Sequence, residues 1–458
     1  MADEVEKPGA PNSVAARLDR ADGLSFVIAT LVTLAVYLFT LAPEVTVTWS
    51  GVMSASATYG GVAPPPGYPA WTIYSWLFIN LIPFSNIACR VAAGSAVAGA
   101  VACGLVALMV SRSGNFVFHE NPALKRFDSR EQNSIRVVCG CVAGLGLGLS
   151  GRFWYEAVIP EYWTFTVLLF VLMVSLLMRW VETGRRRWCW LAFLVYGLLL
   201  TGNQELIIAL PGIVCMVIVV DPKLGRDVAI VTLPLGAAVD SMSGFPTMAG
   251  FGWNRPILEA FAIAFVFALL MVPVTRGIGS EWKSALACGL FLLLGLALYF
   301  YLPIVSMANP PVNWAYPRTA EGFLHVVSRG QYELVNPTFG FARFTMQPWG
   351  ALKHAGREFG WLYVAFAALP FGFLGRMSEV GRKWLLSLLP LSVCVGPLLL
   401  ALSNPNGVDR QTEEFFEPYF FASRAVLALW AGIGLTLFAM MVSQPKGHAE
   451  SARASITG

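Results

Sequence analysis

Apolar runs close to the roughly 20 residues that cross a bilayer recur along this chain of 458 residues. They lie near 24–42, 91–111, 134–152, 163–180, 188–203, 205–220, 228–243, 257–275, 284–303, 361–376, 384–402 and 423–442. This pattern predicts an all-α polytopic membrane protein with about twelve transmembrane helices spanning 24–442. Polar tails at 1–23 and 443–458 flank it. Two segments break the rhythm, 43–90 and 304–360, both long and rich in Pro, Gly, Trp and Tyr. Loops beyond about 15 residues bind, catalyse or disorder, and this composition is too aromatic for disorder. Both are therefore expected to be structured outer loops. Within the first, Trp71 to Phe84 is apolar but short for a span. It is expected to lie along the interface, with Trp71, Tyr74 and Trp76 as anchors.

Composition narrows the class further. The chain is 56% hydrophobic and only 13% charged, against about a quarter charged in soluble domains. That excludes a soluble protein, a disordered chain, a nucleic-acid binder and a secreted disulfide scaffold. A net charge of +4 defines no partner, but its placement is informative. With the N-terminus in the cytoplasm, most of the 31 Lys and Arg fall on the inner side. Clusters at Arg185–Arg187 and at Lys125, Arg126 and Arg130 lead the asymmetry, as the positive-inside rule expects. The expectation is a multi-pass inner (plasma) membrane protein with both termini cytoplasmic. No cleavable signal is evident, and the first span serves as an anchor. The eight cysteines lie in or beside spans and imply neither a disulfide framework nor a metal site. They read as small apolar residues.

The first outer loop contains Leu41-Ala42-Pro43-Glu44, Trp49-Ser50-Gly51-Val52 and Pro64-Pro65-Pro66-Gly67-Tyr68-Pro69. Downstream come Pro83-Phe84-Ser85-Asn86-Ile87-Ala88 with Arg90, then Trp154 to Tyr162 with Ala157 and Glu161, then Tyr301-Leu302-Pro303-Ile304. Asn309-Pro310-Pro311-Val312-Asn313-Trp314, Pro317-Arg318-Thr319 and Arg329-Gly330-Gln331-Tyr332 complete the series. In this order the motifs resemble a bacterial family of multi-span, glycosyltransferase-like proteins. That family is related to the eukaryotic protein O-mannosyltransferase-like transmembrane proteins.

The resemblance implies a GT-C-like fold and transfer of a sugar from a polyprenyl-phosphate carrier to an acceptor on the outer face. The implied partners are membrane lipid, a polyprenyl-phosphate-linked sugar and a protein or glycan acceptor, with no nucleic acid. No cofactor is implied, and a divalent metal is left open. Such chemistry asks for an acid near the outer end of the first span to take the acceptor's proton or orient a cation. It also asks for Arg or Lys against the departing phosphate. Here the sequence departs from the family, whose first loop reads Asp-Ser-Gly-Glu and then His-Pro-Pro-Gly-Tyr-Pro. Trp49 stands at the Asp, Val52 at the Glu and Pro64 at the His, while Asn203 falls on a further His. The nearest acid in the loop is Glu44.

Glu161 matches an acid of the family, and with Glu156 it sits in a turn rich in aromatics. Glu161 and Glu44 are the catalytic candidates, against the alternative that Glu161 merely marks an interface. Arg329, with Gln331 and Tyr332, is the phosphate candidate, because a guanidinium fork suits phosphate oxygens. Its alternative is an ion pair with Glu321 or Glu333. Trp314, Asn203 and Arg424 are further substrate-binding candidates. Asn203, Gln204 and Glu205 are either a solvated turn or a cavity. His325, Asp240 and Glu259 read as structural or solvated, and Arg410 to Glu417 as an acidic loop. Trp49, Pro65, Pro66, Gly67 and Tyr68 are expected to form a site wall, stiffened by consecutive prolines. Three functions stay open: an active glycosyltransferase, a degenerate relative that binds a lipid-linked sugar or partners an active paralogue, and a transporter.

Overall fold

The computed structural model describes residues 18–117, 127–242, 254–331, 341–403 and 417–442, and what it describes is helical. The first helix, α1 (Arg20–Phe39), starts ahead of the expected residue 24 because Asp19 caps it, accepting from the Asp22 backbone N–H. Its outward face is exposed along Leu24, Val27 and Leu31, as a helix at the lipid boundary requires. Then follow α2 (Ser50–Thr58), α3 (Pro69–Leu81), α4 (Ile87–Val117), α5 (Ser129–Gly148) and α6 (Gly151–Ala157). Next come α7 (Trp163–Thr183), α8 (Arg186–Leu200), α9 (Ala209–Val220), α10 (Pro222–Met242), α11 (Asn254–Thr275) and α12 (Trp282–Leu296). The remainder is α13 (Tyr301–Met307), α14 (Ala320–Val327), α15 (Phe341–Phe359), α16 (Trp361–Ala368), α17 (Glu379–Val393), α18 (Leu399–Ser403) and α19 (Phe421–Val442).

The main core runs through α4, α6, α7, α8, α9, α17 and α19, with Phe153, Phe170, Phe193, Tyr196 and Trp384 fully enclosed. Small residues permit the closest crossing. A side chain at Gly295 of α12 would strike the Leu194 carbonyl of α8, so the two backbones touch. At the end of the bundle near Asp22, that buried carboxylate binds Arg112 at 3.2 Å and Arg136 at 2.7 Å. Unpaired, such charges would be prohibitive in this setting.

Several helices make this a multi-pass membrane protein, but about twelve spans is not supported. Among the described residues, six helices are long and apolar enough to cross, or up to eight if each of two bent pairs is one span. The physical reason is length and charge. The apolar helices Gln204–Val220 and Glu259–Thr275 are short, α8 has 15 residues, and α10 carries Lys223, Arg226 and Asp227. The bent pairs are α5 with α6, at 72°, and Met346–Phe359 with Trp361–Gly375, at 117°.

The two long connections are folded, and they dock on each other. Val62 N–H donates to the Val312 carbonyl at 2.9 Å, and Trp314 N–H returns to the Val62 carbonyl at 3.2 Å. The Tyr301 hydroxyl donates to the Gly60 carbonyl at 2.5 Å. Gly61 has to be glycine for this contact, since a Cβ there would meet the Val312 carbonyl oxygen. The segment expected to lie along the interface folds as α3. Trp76 is exposed, but Trp71 is 1% exposed, packed with Met53, Tyr68 and Val91. It anchors the connection to the bundle rather than to lipid headgroups.

Candidate active site

The turn between α6 and α7 delivers Glu161. Its backbone is fixed by Ser95 of α4, whose hydroxyl donates to the Glu161 carbonyl at 2.9 Å. The side chain is 3% exposed. Its carboxyl accepts from the Thr48 hydroxyl and from the backbone N–H groups of Trp49 and Tyr162. Burial above all, and then the neighbouring Glu156 carboxylate, push its pKa up to about 8 against those hydrogen bonds. The backbone of Trp49 thus grips a buried acid, while the Trp49 side chain itself carries none.

Next to Glu161, the Tyr162 ring lies 4.2 Å from the Tyr68 ring, and the two hydroxyls are hydrogen-bonded. Tyr68 stands at the end of the proline wedge, in the left-handed region at φ 46°, with Gly61 to Pro69 all buried. Gly67 also has positive φ, and a Cβ there would meet Leu302 at 2.8 Å. The wedge of the first connection therefore packs against Leu302 of α13 and Val326 of α14. Trp163 makes an edge contact with Tyr419 at 4.8 Å.

Arg329 reaches this aromatic group from the second connection. It donates to the Tyr419 hydroxyl and lies near Tyr68 and Tyr162. Its ion-pair partner is Glu205, and not the nearby Glu321. Gln204, one residue before Glu205, donates to the Tyr299 hydroxyl at 2.9 Å and to the Val327 carbonyl at 2.8 Å. Residues 203–205 are hence no solvated turn. Asn203 is 3% exposed, and its Oδ1 has no hydrogen-bond partner among the described residues.

A second polar group lies beside the first. Arg152 binds Glu156 at 2.8 Å and approaches Glu417 at 3.7 Å. His354 binds Glu417 at 2.5 Å. Arg424 is buried and binds Glu358 at 3.1 Å and Glu417 at 3.5 Å, so two carboxylates occupy the fork expected to take a phosphate.

The other predicted residues sort clearly. Trp314 Nε1 donates to Gln331 Oε1 at 2.5 Å, on the same connection as Arg329. Glu44 is exposed, and no described contact joins it to Glu161. Trp49 is 46% exposed, so its backbone rather than its ring meets the acid. His325 packs on Gly330, whose N–H donates to its carbonyl at 3.1 Å. Glu259 is exposed. Tyr332, Glu333, Asp409, Arg410, Glu413, Glu414 and the Asp240 side chain lie outside the described residues. Sequence reasoning missed Thr48, His354 and Glu358. The last two face one way on α15, four residues apart, and that spacing was readable. Among the described residues no group of three or more His, Cys, Asp or Glu is arranged to hold a metal ion.

Residues 50–225 match the family model described as Protein O-mannosyl-transferase TMEM260 N-terminal domain. The match supports an O-mannosyltransferase-like family. It takes in the proline wedge, Glu156, Glu161 and Asn203, begins one residue after Trp49, and ends well before Arg329. No solved structure matches the chain.

Proposed function

We propose that this membrane protein is an active GT-C-type glycosyltransferase that takes a sugar from a polyprenyl-phosphate donor and passes it to a hydroxyl acceptor. The observation that carries this reading is Glu161. It is buried, oriented by Thr48 and the Trp49 backbone, and its pKa of about 8 suits proton exchange near neutral pH. Its carboxylate takes the acceptor's proton as the oxygen attacks the sugar carbon and the bond to the carrier phosphate breaks. Arg329, which lies near Tyr68 and Tyr162, offers positive charge to the departing phosphate. Mannose is the sugar that the family match suggests. A protein or glycan acceptor on the outer face agrees with the two docked connections lying on the Glu161 side of the bundle. The donor lipid would lie against the exposed apolar helix faces nearby.

The test is transfer of labelled sugar from synthetic polyprenyl-phosphate mannose by purified protein, with other sugars as a donor panel. Turnover supports the reading. Folded protein that transfers nothing from any donor overturns it. One observation favours a second reading, a binding-only relative: Trp49, Val52 and Pro64 carry no titratable group where the resembled family has three. On that reading the protein binds the donor but turnover appears only when acids are restored at positions 49 and 52.

A further inference from the structure

From Trp163 beside Glu161, α7 runs for 21 residues to Thr183, about 31 Å at the helical rise. Its far end therefore lies on the membrane face opposite the candidate active site. There Arg186 binds Asp221 at 2.7 Å and Glu281 at 3.2 Å, tying together the starts of α8, α10 and α12. The connection between α11 and α12 is clasped by the same device. Asp227 accepts from the N–H groups of Gly279 at 3.0 Å and Glu281 at 2.7 Å, and Arg226 bonds Thr275 and the Gly277 carbonyl.

These pairings use up the acids at the α7–α8, α9–α10 and α11–α12 turns. Glu182 is held by Arg112 at 2.5 Å and by Arg179 at 3.0 Å, Asp221 and Glu281 by Arg186, and Asp227 by Arg226 at 2.7 Å. Five cations gathered by the same turns remain exposed, Arg185, Arg187, Lys223, Arg276 and Lys283. None of the five has an ion pair among the described residues. Two of them lie on indole rings: Arg187 is 4.9 Å from the Trp188 ring and Lys283 is 5.9 Å from the Trp282 ring. Trp282 is 56% exposed. A tryptophan with a cation over it is the arrangement that sits at headgroup depth, with the ring in the acyl boundary and the charge in the phosphate layer.

The geometry points to a binding site for the phosphodiester headgroup of an anionic membrane lipid, formed by Arg185, Arg187, Lys223, Arg276 and Lys283 around the Arg186 hub. Positive charge on one side of a membrane protein is common. What distinguishes this site is that three separate chain crossings are locked into one patch while every acid among them is neutralised. The site is independent of catalysis and lies on the other side of the bundle.

The test uses the full-length protein in phosphatidylcholine nanodiscs, titrated with phosphatidylglycerol and read by native mass spectrometry. Wild type should retain phosphatidylglycerol in preference to phosphatidylcholine. The R185Q/R187Q/K283Q variant should lose that preference by about fivefold for each cation removed. Single variants R187Q and K283Q, measured separately, give the same reading if the triple variant fails to fold. Equal retention of both lipids by wild type, or an unchanged preference in the variants, would overturn the site. Displacement of the lipid by inorganic phosphate at equal concentration would overturn the lipid assignment and indicate a soluble anion.

Discussion

The carboxyl of Glu161 accepts a hydrogen bond from the backbone N–H of Trp49. The two residues come from different connections, and the position where the resembled family carries an acid is the one that holds this glutamate. A buried carboxyl thus lies within hydrogen-bond reach of the backbone at position 49. The backbone donor at position 49 is one that no substitution except proline removes.

The pKa of about 8 fixes the sign of two pH effects. As a base, Glu161 works once deprotonated, so kcat/KM should rise with pH and reach half its plateau near pH 8. Stability should run the other way. The folded pKa lies above the ordinary glutamate value of 4.5, so the folded state binds more protons in between. The stability this gives is present below about 4.5 and is lost as pH rises through about 8. Thermal melting across that window, compared with Glu161→Gln, checks the second effect. A wild-type melting profile that matches the Gln variant would contradict it.

Trp49→Asp should place a second carboxylate beside Glu161. Like charges that close raise a pKa, so the midpoint of the activity profile should move above pH 8. An unmoved midpoint would show that the side chain at 49 points away from the acid.

Gly61→Ala should separate the two connections, because its Cβ would meet the Val312 carbonyl. The expected cost is about 1–3 kcal/mol, the range for overpacking a tight contact. Activity should fall more than helix content does, because the helical core lies elsewhere. Circular dichroism beside a transfer assay distinguishes the two, and full activity in this variant would mean the docking is dispensable.

Much of this was legible in the chain and some was not. The apolar runs gave the helices, and the proline wedge and Arg329 were marked by motif. Three properties escaped for physical reasons. Hydropathy counts apolar runs, but a bend such as the 72° between α5 and α6 and short helices such as α9 are invisible to it, and twelve spans was the result. The docking of Val62 against Val312 is a contact between distant segments that no local pattern encodes. Arg329 pairs with Glu205, a residue more than a hundred positions away, which spacing along the chain does not indicate.

Arg329→Gln should weaken donor use more than acceptor use. It also strands the Glu205 carboxylate in a largely buried place, so a double variant with Glu205→Gln is the fair comparison. In that background the donor KM should rise while the acceptor KM stays near wild type. Equal effects on both would assign Arg329 to the frame of the site and not to the phosphate.

Glu161→Gln is the most direct test, because it keeps the size of the side chain and one acceptor oxygen while removing its basicity. With purified protein, a polyprenyl-phosphate sugar donor and a hydroxyl acceptor, its rate should fall by about 10²–10⁴, the range for losing a general base. The variant should keep wild-type donor binding and melting behaviour at low pH. A Gln variant that transfers sugar at the wild-type rate would contradict the assignment of Glu161 as the base.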